Sequence, residues 1–339
     1  MKHRLMLSAA TAALLAAPLT FAAHADTTIT SNTKSALSTS SAGNITIQAG
    51  GGVSIKAAGP AVTINSNNFV ENQGGISNVN TSSAIGVEVN TTSGNIVNST
   101  GLLNLGGITL TGPGAGKSAI LVAGGNTFFA PITLTTVTST AGAAPTTVAG
   151  SSVQVQGDQS NLFTLVQGTT IDGNVVMGGS LGLTRSQNST TAGDTAIDIE
   201  GNLQGNLLFG QGAVVTAIGN QARDMVILGP ISPCQNNASV GYTCANSGTA
   251  LASTGSFLNF GSITAIGVQV PSHKLEGDFE SGSAVVIGNS VAGGFYNAGP
   301  STGTTTIPTA TISGNGDIAT SSSGGTVFSP TLLIDPSQS

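Results

Sequence analysis

From about residue 26 onward the chain shows no helical period. Apolar residues do not recur at i, i+3, i+4 and i+7. Runs of four to six residues rich in Val, Ile, Leu and Thr take their place, each bounded by Gly, Asn, Ser or Pro. NITIQA (44–49), GVSIKA (52–57), AVTINS (61–66), IGVEVN (85–90) and GITLTG (107–112) come first. SVQVQG (152–157), AIDIEG (196–201), MVILG (225–229), IGVQV (266–270) and AVVIGN (284–289) follow. This pattern predicts short strands separated by turns.

Several runs resemble one another: SAIGVEV from Ser83, KSAILVAGG from Lys117, DTAIDIEGN from Asp194, ITAIGVQV from Ile263 and GSAVVIGN from Gly282. Their spacing is irregular. Ala84 to Ala119 is 35 residues, Ala196 to Ala265 is 69 and Ala265 to Ala284 is 19. Imperfect repetition of strand and turn is the mark of a solenoid. One coil of about 20 to 25 residues cannot bury its own apolar face, so coils must stack. Strands of successive coils then pair in parallel, with alternate side chains inside. Gly supplies the corners through positive φ, and Asn stacks on Asn in adjacent coils. The pattern predicts an all-β parallel β-solenoid of about a dozen coils, on the order of 60 Å long. In GSAVVIGNSVAGGFYNAG (282–299), Val285 and Ile287 fall on one side of a strand, and Asn289 and Asn297 mark corners. A sandwich would alternate apolar and polar positions more cleanly than VVI or LLF do.

The opening residues read differently. Lys2 and Arg4 precede a mostly apolar stretch from Leu5 to Leu19, and Ala23-His24-Ala25 has the small-x-small form of a cleavage site. The run is shorter than the roughly 20 residues of a bilayer span. Residues 1–25 are therefore expected to be a signal peptide, and 26–339 the solenoid.

Composition narrows the function. The 339 residues include 48 Gly, only 6% are charged, and the formal net charge is −6. Ile, Leu, Val and Phe make up roughly a quarter of the chain, above the level of disordered sequences. With few and scattered cations, nucleic acid is excluded as a partner. Cys234 and Cys244, the two cysteines of the chain, lie in PCQNNASVGYTCANSG. In an exported chain they are expected to pair and staple a loop insertion at 230–250. With no His nearby, two sulfurs make a poor zinc site.

Candidate chemistry is sparse. TGPGAGKSA (111–119) is similar to a phosphate loop, but the required Gly falls at Thr111, and a strand, not a helix, follows. Gly112 to Gly116 is read as a turn with an exposed Lys117, and no nucleotide or other cofactor is expected. HKLEGDFESG (273–282) is the densest charge cluster, and Glu276, Asp278 and Glu280 would share one strand face. Paired carboxylates can hydrolyse glycosides or hold Ca²⁺. Their plain role is a solvated face that discourages edge pairing. Asp194, Asp198 and Glu200 in DTAIDIEGN, and SGNGDI (313–318), read as surface and turn chemistry. A Ser-His-Asp hydrolase would have to use His273, and no nucleophile-elbow context is found. Thr-rich TTIT, TLTT and TGTTTI could form flat ladders facing ice or glycans, although Thr is also simply a good strand residue.

GSAVVIGNSVAGGFYNAG, TAIDIEGNLQGNLLFGQG and the C-terminal TVFSPTLLIDPSQS resemble passenger segments of Gram-negative autotransporters, the large alphaproteobacterial ones in particular. The resemblance implies export, display at or release from the outer surface, and a right-handed parallel β-helix. Such proteins carry a C-terminal barrel ending in an aromatic residue, whereas this sequence ends in DPSQS. An outer-membrane barrel encoded separately, or lost by truncation, would then be a partner. The expected function is an exported structural or interaction protein without chemistry of its own. Its partners would be cell-surface or matrix glycans or its own copies. The alternative is a polysaccharide-acting enzyme using Glu276, Asp278 or Glu280, with Lys274 or Arg223 as a basic partner.

Overall fold

The computed structural model describes residues 25–339, except 80–81, 113, 139–145, 149–150, 185–194, 220–221, 245–252, 268–283, 298–309, 315–318, 321–325, 328–331 and 335–339. The chain folds as a parallel β-helix. Three sheets of nine strands run its length. Sheet 1 extends from Thr27–Ile29 to Phe295–Asn297, sheet 2 from Asn32–Thr33 to Thr311–Gly314, and sheet 3 from Leu37–Ser38 to Leu332–Ile334. A fourth, five-stranded sheet runs from Ile96–Val97 to Ile231–Ser232. The cross-section is thus three-sided in the first two coils and four-sided from the third to the seventh.

Each sheet takes one strand from each coil, in chain order. Thr27 pairs with Ile45, Ile45 with Val70, Val70 with Leu102 and Leu102 with Ile132. Inward positions form long, mostly apolar rows. In sheet 4, Ile96, Phe128, Ile171, Leu203 and Ile231 stack in register and are buried. One continuous core results from stacking that no single coil could achieve.

Two expectations need correction. There are nine coils among the described residues, not a dozen. At about 4.8 Å per coil the stack is roughly 40 Å long. Coils are longer and less even than 20–25 residues: Ile45, Val70, Leu102, Ile132, Val175, Leu207 and Phe257 are separated by 25, 32, 30, 43, 32 and 50 residues. The fourth sheet lengthens the middle coils. Two insertions lengthen the fifth and seventh coils further: an antiparallel hairpin pairing Thr136–Thr138 with Thr146–Val148, and the cysteine loop. The similar runs also sort by sheet. Four belong to sheet 3, but ITAIGVQV lies in sheet 2, so the 19-residue step from Ala265 to Ala284 stays within one coil.

Gly50, Gly101 and Gly179 turn corners with positive φ as expected, but two other corner glycines act in a way the sequence did not reveal. A Cβ on Gly74 would lie 2.2 Å from the Gly51 carbonyl oxygen, and one on Gly106 would lie 2.1 Å from that of Gly74. These glycines let stacked backbones touch; positive φ is not what requires them. Asparagines ladder as expected. Asn72 Nδ2 donates to Asn104 Oδ1 at 2.7 Å, and Asn259 Nδ2 donates to Asn297 Oδ1 at 2.8 Å. Asn289 Nδ2 closes its corner on the Leu228 carbonyl at 2.8 Å.

Candidate functional site

The outer face of sheet 4 carries the best-formed polar site. Phe129, Asp172, Gln204 and Ser232 follow the inward stack by one position and so point away from the core. Phe129 and Asp172 should meet water, yet they are 5% and 1% exposed. The cysteine loop covers them. After Ile231–Ser232 the chain turns back along the sheet rather than entering the next coil. Asn237 and Tyr242 pair their backbones, at 2.9 Å (Asn237 N–H to Tyr242 O) and 3.0 Å (Tyr242 N–H to Asn237 O), around a single 3-10 turn, Ala238–Val240. Asn237 Oδ1 caps that turn through the Ser239 N–H, 3.1 Å away.

Cys234 and Cys244 are joined in a disulfide, as the sequence led us to expect. Tyr242 lies buried with its ring 5.3 Å from that of Phe129. Its hydroxyl donates to the Asp172 carbonyl oxygen at 2.5 Å. The Asp172 side chain accepts from the Gln235 N–H at 3.1 Å and lies 4.0 Å from Cys244 Sγ. A disulfide sulfur has no hydrogen to donate, so the last separation is a contact and not a hydrogen bond. Burial pushes the Asp172 carboxyl up to about 6, with the Gln235 N–H opposing. Burial, reinforced by Asp172, pushes the Tyr242 phenol up. The site therefore holds a covered carboxyl, two sulfurs and a fixed phenol.

Lys117 corrects a further expectation. It is not exposed: 1% of it reaches solvent, and Nζ donates to the carbonyls of Gly112 and Gln156, each at 2.6 Å. Burial lowers its affinity for a proton, and Asp158 opposes this. One carbonyl of the glycine-rich turn and one from the end of the strand Ser152–Gln156 hold the ammonium, the reverse of a phosphate loop, which turns N–H groups toward an anion. Ser118 opens a strand in sheet 3, as the sequence suggested.

Glu276, Asp278, Glu280, His273 and Lys274 lie outside the described residues, as does Asp194. Asp198 sits on the outer side of sheet 3. Burial, then Glu200, raises it to about 6, and Arg223 opposes them. Arg223 is in the adjacent coil, opposite Thr195. Its neighbour Asp224 is fully buried, and among the described residues neither carboxylate oxygen has a hydrogen-bond partner. Burial raises it well above the ordinary carboxylate range, opposed by the Ala217 backbone. Sequence reasoning missed both Asp172 and Asp224. Asp172 lies in TTIDGN, which reads as an ordinary turn, and its partners are more than 60 residues away. Asp224 had a signal: a carboxylate inside the apolar run ARDMVIL.

Sheet 2 differs from the others. None of its nine strands contains a charged residue. Along its outer side Ser54, Ser77, Thr109, Gln154, Gly182, Thr216, Thr264 and Ser313 stack in register. All are partly or fully exposed. Hydroxyls bond between coils, Ser77 to Ser54 at 2.9 Å and Thr264 with Ser313 at 3.1 Å.

Fold and sites together define a β-solenoid with an uncharged flank and a disulfide-closed loop over a buried acid. No family model, no curated protein and no solved structure matches the chain.

Proposed function

We propose that this protein is an exported, passenger-like structural and interaction protein whose sheet 2 flank binds uncharged, repetitive polymers such as neutral surface or matrix glycans. The stacked Ser, Thr and Gln row carries this reading. Hydroxyls and amides recur about every 4.8 Å along the stack, with neighbouring rows about 6.7 Å away along each strand. A flat repeating array of donors and acceptors suits a repeating partner. Each contact is weak, and many in series raise retention through effective concentration. The absence of charge on this flank favours neutral over ionic polymers, since binding then needs no ion to be desolvated.

The test is retention on insoluble neutral polysaccharides against anionic ones. Binding to the neutral polymer, little changed by salt, is expected. The double variant Thr109→Arg/Thr216→Arg should lower retention at least tenfold and leave the unfolding midpoint unaltered. No retention on any neutral polymer, or retention indifferent to these substitutions, would refute the reading.

A further inference from the structure

We propose that reduction of the Cys234–Cys244 disulfide creates a three-ligand site for a thiophilic divalent cation of the zinc class, made by Cys234 Sγ, Cys244 Sγ and an Asp172 carboxylate oxygen. Viewed along the sequence, the cysteines lack a third ligand. The fold supplies one from two coils earlier. The three ligand atoms lie within 4.8 Å of one another. Asp172 is buried, whereas both cysteines are partly exposed, so a reductant and a cation can reach the sulfurs. Two thiolates and a carboxylate are a suitable set for Zn²⁺, and three protein ligands leave a fourth position for water. With Zn–S near 2.3 Å in a tetrahedral site, the sulfurs need to stand only about 3.8 Å apart.

The decisive point is that the loop does not depend on its disulfide for position. Tyr242 is held by Phe129 and by the Asp172 carbonyl. The Gln235 N–H holds the Asp172 carboxylate, and Cys244 N–H donates to Asn236 Oδ1 at 2.7 Å. Opening the sulfur–sulfur bond leaves these contacts intact and keeps both sulfurs beside Asp172. The chemistry balances with a dithiol as reductant. The protein S–S bond breaks, each sulfur gains one electron and one proton, and the dithiol closes into its own cyclic disulfide. The cation then displaces both thiol protons to solvent. The Gln235 N–H remains on the carboxylate, orienting it as outer hydrogen bonds orient metal ligands. The inference does not rest on the proposed glycan-binding flank.

The test uses the full chain, reduced and freed of reductant, titrated with Co²⁺. One equivalent should bind with thiolate-to-metal absorption in the near ultraviolet and the visible bands of tetrahedral cobalt. The oxidised protein should give neither. Asp172→Asn should weaken binding at least tenfold, and Cys234→Ser should remove the thiolate band. Amide exchange at Gln235 and Tyr242 in the reduced, metal-free protein should remain protected. The proposal is overturned if the reduced protein shows no such band, if Asp172→Asn binds as tightly as the parent, or if the loop amides lose protection on reduction.

Discussion

Asp224 shows most clearly what one residue does against its surroundings. In register with it on the neighbouring coils stand Ala196 and Ala284, both fully buried. A carboxyl between two methyl groups, with neither oxygen paired among the described residues, costs about 1–3 kcal/mol. Asp224→Ala should therefore stabilise the protein by about 1–2 kcal/mol at neutral pH. A denaturant titration checks this, and a loss of stability would mean that the acid has a compensating role. Titration adds a second expectation. Asp198 is raised to about 6, and Glu88 and Asp224 are also raised, each chiefly by burial. The folded state then holds protons that the unfolded chain releases near pH 4. Stability is therefore fullest below about pH 4 and falls as pH rises through about 6. The denaturation midpoint should be higher at pH 4.5 than at pH 7.5, and Asp198→Asn should flatten that difference. A midpoint climbing over this interval would contradict the assignment. Residues such as these were the least legible in sequence. Asp172 gains its character from partners in another coil, and Lys117 gains one of its two carbonyls, that of Gln156, the same way; local spacing carries no record of those contacts.

At the scale of elements, most strands were readable. SVQVQ alternates apolar and polar residues, and in the structure every second side chain is buried. GVSI and GITLT follow the same rule. VVM, LLF and VVI are buried on both sides, which explains why they looked too apolar for a half-wet sheet. Val176, Leu208 and Phe260 form a second apolar cluster on the outside of sheet 1. Sheet 4 was not foreseen. Ile96–Val97 and Ile231–Ser232 contain two residues each, too few for any period to register. Corner ladders matter as much as strands. Asn104 is fully buried, accepts from Asn72, and donates to the Gly106 carbonyl at 3.1 Å and Ser151 Oγ at 3.2 Å. Asn104→Ala strips three partners at once and should cost about 2–4 kcal/mol. Asn104→Asp, which keeps the shape but turns a donor into an acceptor, should not rescue it. Thermal unfolding of the two variants decides the point.

Across the whole molecule, the irregular coil lengths hide a regular stack. Insertions that stretch the separation of matched core positions to 43 and 50 residues blurred the repeat without disturbing the register of the core. Fold class was therefore legible from strand composition, while coil number was not, because extra length was spent outside the stack. In a stack whose members touch only their neighbours, stability is nearly a sum over coils and loss can spread from either end. The cysteine loop breaks that locality. It leaves the seventh coil and seats Tyr242 against Phe129 of the fourth and the Asp172 carbonyl of the fifth. Pulled from its two termini, the molecule should peel in small steps until it reaches this block, then hold and give way in one larger rupture. Tyr242→Ala should remove the plateau and restore gradual peeling. What looks like a decorative outgrowth would then serve as a mechanical clamp, converting a row of weakly coupled rungs into a segment that bears load as one body.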